Sequence, residues 1–308
     1  MSTTAASPDL VLESRAAEGS GAPRALRACL LCHAPLKPYA SIPARRLNDW
    51  FYTKNLRDLV PTLHYSVCPT CRSLWAVDGR RDESLLSEIY ADLPTEYWAE
   101  MSNDQRFYET VDNLLERFAH GRRLCDVGCG DGKLLRGLSE CWEKYGLEPG
   151  HVAAGICRSY GYDVVVGTPL SSAKRDAYDA VTCIDTIEHM LDPAGEVAAM
   201  ARTLRANGIL LIITGDAGAW TARLAGPWWE YLHCVGHVSV LSRRALLSYV
   251  MRAGLRVIRR ETVSHYAGVK PGPWLVELVR NYWRRARGHG YRPLRYCRDH
   301  QMILARKV

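Results

Sequence analysis

The stretch Leu124-Cys125-Asp126-Val127-Gly128-Cys129-Gly130-Asp131-Gly132 constrains the fold of this chain more than any other. It reads as a buried strand that stops at an acid, a glycine turn, and a helix predicted over Lys133 to Trp142. Gly128 and Gly130 lack a Cβ, so the backbone there can take unusual angles and approach a ligand closely. The helix that follows points its unpaired N–H groups at the same place. The next strand ends in Glu148, about 20 residues on, the distance at which an acid can hold a ribose diol. This order describes an α/β nucleotide-binding layer.

Acids flank the glycines at Asp126 and Asp131. Carboxylates beside a pyrophosphate would repel it, so the turn suits a cofactor with a positive end and no phosphate there. The chain continues with Tyr178-Asp179-Ala180-Val181-Thr182-Cys183-Ile184-Asp185-Thr186-Ile187-Glu188-His189, a helix predicted over Ala194 to Arg205, Asn207-Gly208, and an apolar strand from Ile209. From about Gly121 to Glu261 this resembles the class I S-adenosylmethionine-dependent methyltransferases. The resemblance implies a Rossmann-like α/β fold, a seven-stranded sheet with helices on both faces, and S-adenosylmethionine as cofactor. It places Asp126, Gly128, Cys129 and Gly130 at the amino-acid end of the cofactor and Glu148 at its ribose. It sets Asp185 and Thr186 under the methionine portion. The family often has an acid near the adenine after the third strand. Here Gly167-Thr168 stands in that place, which makes Thr168 the weaker candidate.

Cys29-Leu30-Leu31-Cys32 and Cys68-Pro69-Thr70-Cys71 form a paired C-x2-C signature. Two such knuckles supply four thiolates to a tetrahedral ion, which suits Zn2+, and a full set of four leaves a structural site with no open position. Two redox pairs, or coincidence, are the other readings. His33 adjoins the first knuckle, but four cysteines suffice without it. With an apolar strand at Ser73 to Val77 and helical sequence after it, the arrangement resembles bacterial natural-product and sugar methyltransferases with an N-terminal zinc-binding domain.

The division expected from sequence is a disordered tail at 1–24, a zinc ribbon at 25–80 and a helical cap or linker at 81–120, where Phe107, Val111, Leu114, Leu115 and Phe118 recur at helical spacing. A methyltransferase domain at 121–308 follows, with a basic helix inserted near 272–288. Further strands are expected at 163–166, 180–184, 209–214, 255–263 and 301–306, and a helix over 242–253 capped by Ser242. A chain of 308 residues, 47% hydrophobic, accommodates this plan. No apolar run reaches the roughly 18 residues that a bilayer span needs, so no membrane partner is expected. Seven cysteines outside the knuckles are scattered, as expected of reduced thiols in a cytoplasm.

Net charge is +7, and arginines crowd the stretch from Arg280 to Lys307. Such a segment could meet nucleic acid, a membrane surface or a phosphorylated substrate, or could be a solvated helix face. The candidate bases are His189, His233 and His237, because imidazole titrates near neutrality. Trp228, Trp229 and Tyr231 could stack an acceptor ring or sugar face, or simply pack the loop. The leading expectation is methyl transfer to a small-molecule acceptor. RNA methylation is the alternative, disfavoured because Asp185-Thr186-Ile187-Glu188 replaces an asparagine-proline-proline motif for base methylation. A non-catalytic cofactor-binding scaffold is the third reading. The ribbon could also serve as a homodimer surface.

Overall fold

The computed structural model describes residues 26–43, 60–91, 105–172, 174–264 and 270–308. The expected tail at 1–24 lies outside these residues, as does 92–104, part of the expected cap. A seven-stranded sheet carries the fold. Its strands are β4 (Arg123–Val127), β5 (Glu143–Glu148), β6 (Asp163–Val166), β7 (Tyr178–Ile184), β8 (Leu204–Gly215), β10 (Leu255–Val263) and β11 (His300–Lys307), in the order β6-β5-β4-β7-β8-β11-β10. The first five are parallel to one another, and β11 runs antiparallel to both β8 and β10. The central strands read as continuous apolar runs because both faces are covered, and Leu210 to Ile213 are all buried. This is the expected Rossmann-like α/β methyltransferase sheet.

Helices flank the sheet: α2 (Gln105–Phe118), α3 (Lys133–Gly137), α4 (His151–Ser159), α5 (Pro169–Ser172), α6 (Pro193–Thr203), α7 (Trp220–Ala225), α8 (Arg243–Arg252) and α9 (Pro271–Ala286). Their ends follow local chemistry. Asp192 caps α6 by accepting from the Gly195 N–H at 3.0 Å, with Pro193 in the first turn. Ser242 caps α8 through the Ala245 N–H. Among the boundaries that differ from expectation, two helix ends have a clear physical cause. The helix after the glycine turn ends at Gly137 rather than Trp142, because Asp112 of α2 draws out the chain. Its carboxylate accepts from the Ser139 N–H at 3.1 Å and the Trp142 indole at 2.7 Å. The helix expected to run to Arg205 stops at Thr203, because Leu204 already pairs with Tyr178.

The N-terminal unit is a second, smaller sheet. Strands β1 (Lys37–Pro43), β2 (Thr62–Val67) and β3 (Leu74–Ala76) form an antiparallel meander, followed by α1 (Glu83–Ala91). Its fourth strand, β9 (Ser239–Val240), comes from the far end of the chain and pairs antiparallel with β3. One core runs through both units: Cys29, Leu31, Cys68, Cys71 and Trp75 pack in the same cluster as Leu241, Ala245 and Leu246 around α8. At about 1.5–3 kcal/mol per fully buried large apolar side chain, this seam fastens the two units together.

Candidate active site at the carboxyl ends of the parallel strands

Five strand ends converge on the site. On β4, Asp126 is buried and lies opposite Thr182 of β7, whose hydroxyl donates to it at 2.7 Å. Burial pushes the Asp126 carboxyl up to about 7, helped by the charge of Glu148 and opposed by the Thr182 hydrogen bond. The turn that follows needs its glycines. Gly128 has φ +73°, and a Cβ there would lie 2.3 Å from the Thr186 methyl. Gly130, at φ +53°, donates its N–H to Glu148 at 2.9 Å, and the Gly150 N–H reaches the other carboxylate oxygen at 2.7 Å. Glu148 is itself buried at the end of β5, and burial raises its pKa despite these two bonds. The structure therefore brings Asp126, Gly128, Gly130, Glu148 and Thr186 together. Cys129 contributes backbone only: its side chain packs into the core, 2.5 Å from where a Gly146 Cβ would sit. Thr168 lies at the start of α5, exchanging hydrogen bonds with Ser171.

Asp185 follows β7 with φ +44°, in the left-handed region that a short polar side chain such as aspartate tolerates better than most. Burial pushes its carboxyl up to about 7, against the pull of His300. The His300 Nε2 lies 3.7 Å from it, while the other ring nitrogen is 3.0 Å from Asp299. Burial disfavours the charged imidazole of His300, but the Asp299 hydrogen bond and the charges of Asp185 and Asp299 outweigh it and raise its pKa. Asp299 also accepts from the Trp229 indole at 2.5 Å. Sequence reasoning missed Asp299 and His300. The available signal was an acid–histidine pair opening the last strand within an otherwise arginine-rich stretch.

A second polar group adjoins the first. Glu188 is buried, accepts from Thr214 at 2.8 Å and from the Tyr231 hydroxyl, and lies 3.8 Å from His237 Nε2. His237 Nδ1 is 2.7 Å from the Tyr231 carbonyl; since a carbonyl only accepts, Nδ1 carries the proton. The half-buried His189 ring meets the His237 ring edge-on, with centroids 4.7 Å apart. Burial lowers the pKa of both histidines. His233 stands elsewhere, its Nε2 3.0 Å from the Pro227 carbonyl and its ring beside Tyr291. Trp228, Trp229 and Tyr231 are all buried. Trp229 stacks on Tyr231 at 5.1 Å, and Trp228 meets Tyr282 at 4.8 Å.

The N-terminal sheet grips this region from outside. Arg80, fully buried, donates from Nη1 to the Val235 and His237 carbonyls and to the Tyr65 hydroxyl, each at 3.1 Å. Tyr65 donates in turn to the His237 carbonyl at 2.9 Å. The Ala76 N–H reaches the Val238 carbonyl, and the Ser242 N–H reaches the Ser73 hydroxyl.

Two groups among the described residues have donor atoms placed to hold a metal ion: Cys29, Cys32, Cys68 and Cys71, and separately Glu188, His189 and His237. In each the ligand atoms lie within 4.8 Å of one another. The cysteine sulfurs pair at 3.5 Å (Cys29–Cys71) and 3.3 Å (Cys32–Cys68). A tetrahedral zinc with bonds of about 2.3 Å holds its sulfurs roughly 3.8 Å apart, so the cluster fits that ion.

Comparison with known proteins agrees with this geometry. Residues 97–260 match the family model described as a methyltransferase domain. The chain is 25% identical over 173 residues to the ubiquinone biosynthesis O-methyltransferase of Burkholderia thailandensis, covering 50% of this chain and 74% of that protein. To the protein of the same name from Hahella chejuensis it is 30% identical over 145 residues, covering 42% and 61%. Among solved structures it is similar to an S-adenosylmethionine-dependent methyltransferase, possible histamine N-methyltransferase, from Thermotoga maritima. There the TM-score is 0.50 at 18% identity, covering 72% of this chain and 100% of that one. Sheet order, glycine turn and buried acids define a class I S-adenosylmethionine-dependent methyltransferase. The chain belongs to the methyltransferase-domain family.

Proposed function

We propose that the protein transfers a methyl group to a hydroxyl oxygen of a small-molecule acceptor. The observation that carries this reading is the adjacency of a cofactor cradle and a histidine pair, with Thr186 packed on Gly128 and His189 three residues further along. S-adenosylmethionine supplies an electrophilic methyl group on a sulfonium. The cradle fits it: Asp126 and Asp185 offer carboxylates to a cationic amino acid, Glu148 can accept from a ribose diol, and the Gly128 to Gly130 backbone lets the ligand close in. His189 stands neutral because burial lowers its pKa, so it can take the proton as the acceptor oxygen forms its bond to carbon. Glu188 then stabilises the imidazolium. Trp229 and Tyr231 back Glu188, which accepts from the Tyr231 hydroxyl. The relatives' name, ubiquinone biosynthesis O-methyltransferase, supports oxygen as the acceptor atom, and sugars, natural products and related metabolites are the candidate classes. The four cysteines hold a structural zinc ion.

A second reading is favoured by one observation: Glu188, His189 and His237 are spaced to hold a divalent cation, which would polarise the acceptor hydroxyl directly. One experiment separates the two. Purified protein is incubated with labelled S-adenosylmethionine and a panel of phenols, sugars and amines, before and after dialysis against a chelator, with metal content measured throughout. Methyl ethers formed with one zinc per chain support the histidine base. Activity that tracks a second metal supports the cation. Methylated amines alone would overturn the oxygen assignment.

A further inference from the structure

We infer that α9 and the arginines around it form a docking surface for a bilayer rich in anionic phospholipid. The helix is fastened by one face and bare on the other. Trp274, Leu278 and Asn281 are buried. Trp274 meets Trp220 edge-on at 5.8 Å, and the Asn281 side chain exchanges two hydrogen bonds with the Arg292 backbone, at 2.7 and 3.0 Å. The opposite face carries Leu275, Val276, Val279, Tyr282 and Trp283, 43% to 61% exposed. At 100° per residue these five fill a single arc of about 120°, with only Gly272 and Ala286 sharing it and no charged residue inside it. Among the described residues this stripe adds little to the core, its one ring-to-ring contact being Tyr282 on Trp228.

Charge identifies what covers it. Arg280, Arg284, Arg285, Arg287, Arg292 and Arg295 lie on or just after the helix, and Glu277 is the one acid between 270 and 298. Arg280 and Arg287 fall along one border of the apolar arc, and the Arg287 guanidinium sits 5.5 Å from the Trp283 ring centroid. Acyl chains accept the stripe while phosphate headgroups meet the arginines, the pattern of an amphipathic helix lying in a membrane interface. A second copy of this chain is the poorer occupant, because a two-fold pairing along the stripe would set the arginine borders against each other. RNA would neutralise the arginines but leave the aliphatic stripe in water. The consequence reaches the histidine pair: Tyr282 of α9 packs on Trp228, in the same loop that presents His237. A docked helix would set that loop beside the lipid.

The test is co-sedimentation of the full chain with vesicles of phosphatidylcholine alone and of phosphatidylcholine with phosphatidylglycerol, at low and high salt. We expect binding to the anionic vesicles, weakened by salt, and at least tenfold weaker binding for Val279→Asp and for Arg280→Glu. Both side chains are exposed, so binding of S-adenosylhomocysteine should be unchanged and will report that the variants are folded. Absence of vesicle binding by the parent protein overturns the proposal. So does equal binding by Val279→Asp, or a lipid-free dimer that Val279→Asp dissociates while vesicles are ignored.

Discussion

Arg80→Met removes the grip of the N-terminal sheet on the His237 loop while filling most of the space. Arg80 makes an ion pair with Asp78 at 2.8 Å and three 3.1 Å hydrogen bonds, to the Tyr65 hydroxyl and the Val235 and His237 carbonyls. Breaking a buried pair from one side costs about 3–5 kcal/mol. Two facts place this site near the lower end. Asp78 retains the His64 N–H at 2.7 Å and some access to water, and the His237 carbonyl retains the Tyr65 hydroxyl. The Val235 carbonyl loses its bond from Arg80, adding about 1–3 kcal/mol. A loss of roughly 4–6 kcal/mol in unfolding free energy is therefore expected from urea titration. Because the His237 ring locates His189, the proposed base, through their edge-on contact, turnover should fall by up to about 10²-fold, the cost of displacing a catalytic group by an ångström. Affinity for S-adenosylhomocysteine should hold, since Arg80 touches none of the cofactor cradle. A stability loss below about 1 kcal/mol would refute the reasoning, because a single neutral hydrogen bond is worth that much.

Three further outcomes follow from the same geometry. Gly128→Val places a branched side chain at φ +73° against Thr186, so calorimetry should show no S-adenosylhomocysteine binding while metal content is unchanged. Asp126 keeps a proton in the folded state between its ordinary 3.8 and about 7, where the unfolded chain has released it. Stability of the ligand-free protein should therefore decline as pH rises through that window, by on the order of a few kcal/mol. Asp126→Asn should flatten this slope in melts across pH; identical slopes would count against it. Cys68→Ser should lose the metal on elemental analysis and lower the melting temperature, because the Cys71 carbonyl accepts from the Ser242 hydroxyl across the seam; full metal occupancy would sink the zinc assignment.

Much of this was legible in the sequence. The central strands could be read because continuous apolar runs and glycine punctuation are local signals, and strands 163–166 and 255–263 fall where expected. The convergence of Asp126, Gly128 and Glu148 on one turn could be read for the same reason: the turn and its acid lie within one βαβ unit. What could not be read depends on distance along the chain. Asp112 ends the helix after Gly137 from a different helix, His300 reaches Asp185 from the last strand, and Arg80 reaches His237 from the short helical turn that follows β3. Trp228, Trp229 and Tyr231 look alike in sequence whether a ligand or the protein covers their rings; only the fold shows Trp229 stacked on Tyr231 and tied to Asp299.

Strand β9 carries a consequence for how the protein is made. The knuckle at Cys71 and the serine that hydrogen-bonds it are 171 positions apart. As the chain emerges from the ribosome, the N-terminal sheet waits with β3 as an open edge, a template for unwanted pairing, until residue 240 is available. The cysteine knuckles thus begin to fold first and finish among the last. A fragment cut at residue 91 would carry the cysteines but keep that exposed edge, so the two units should be expressed, swapped and engineered as one piece.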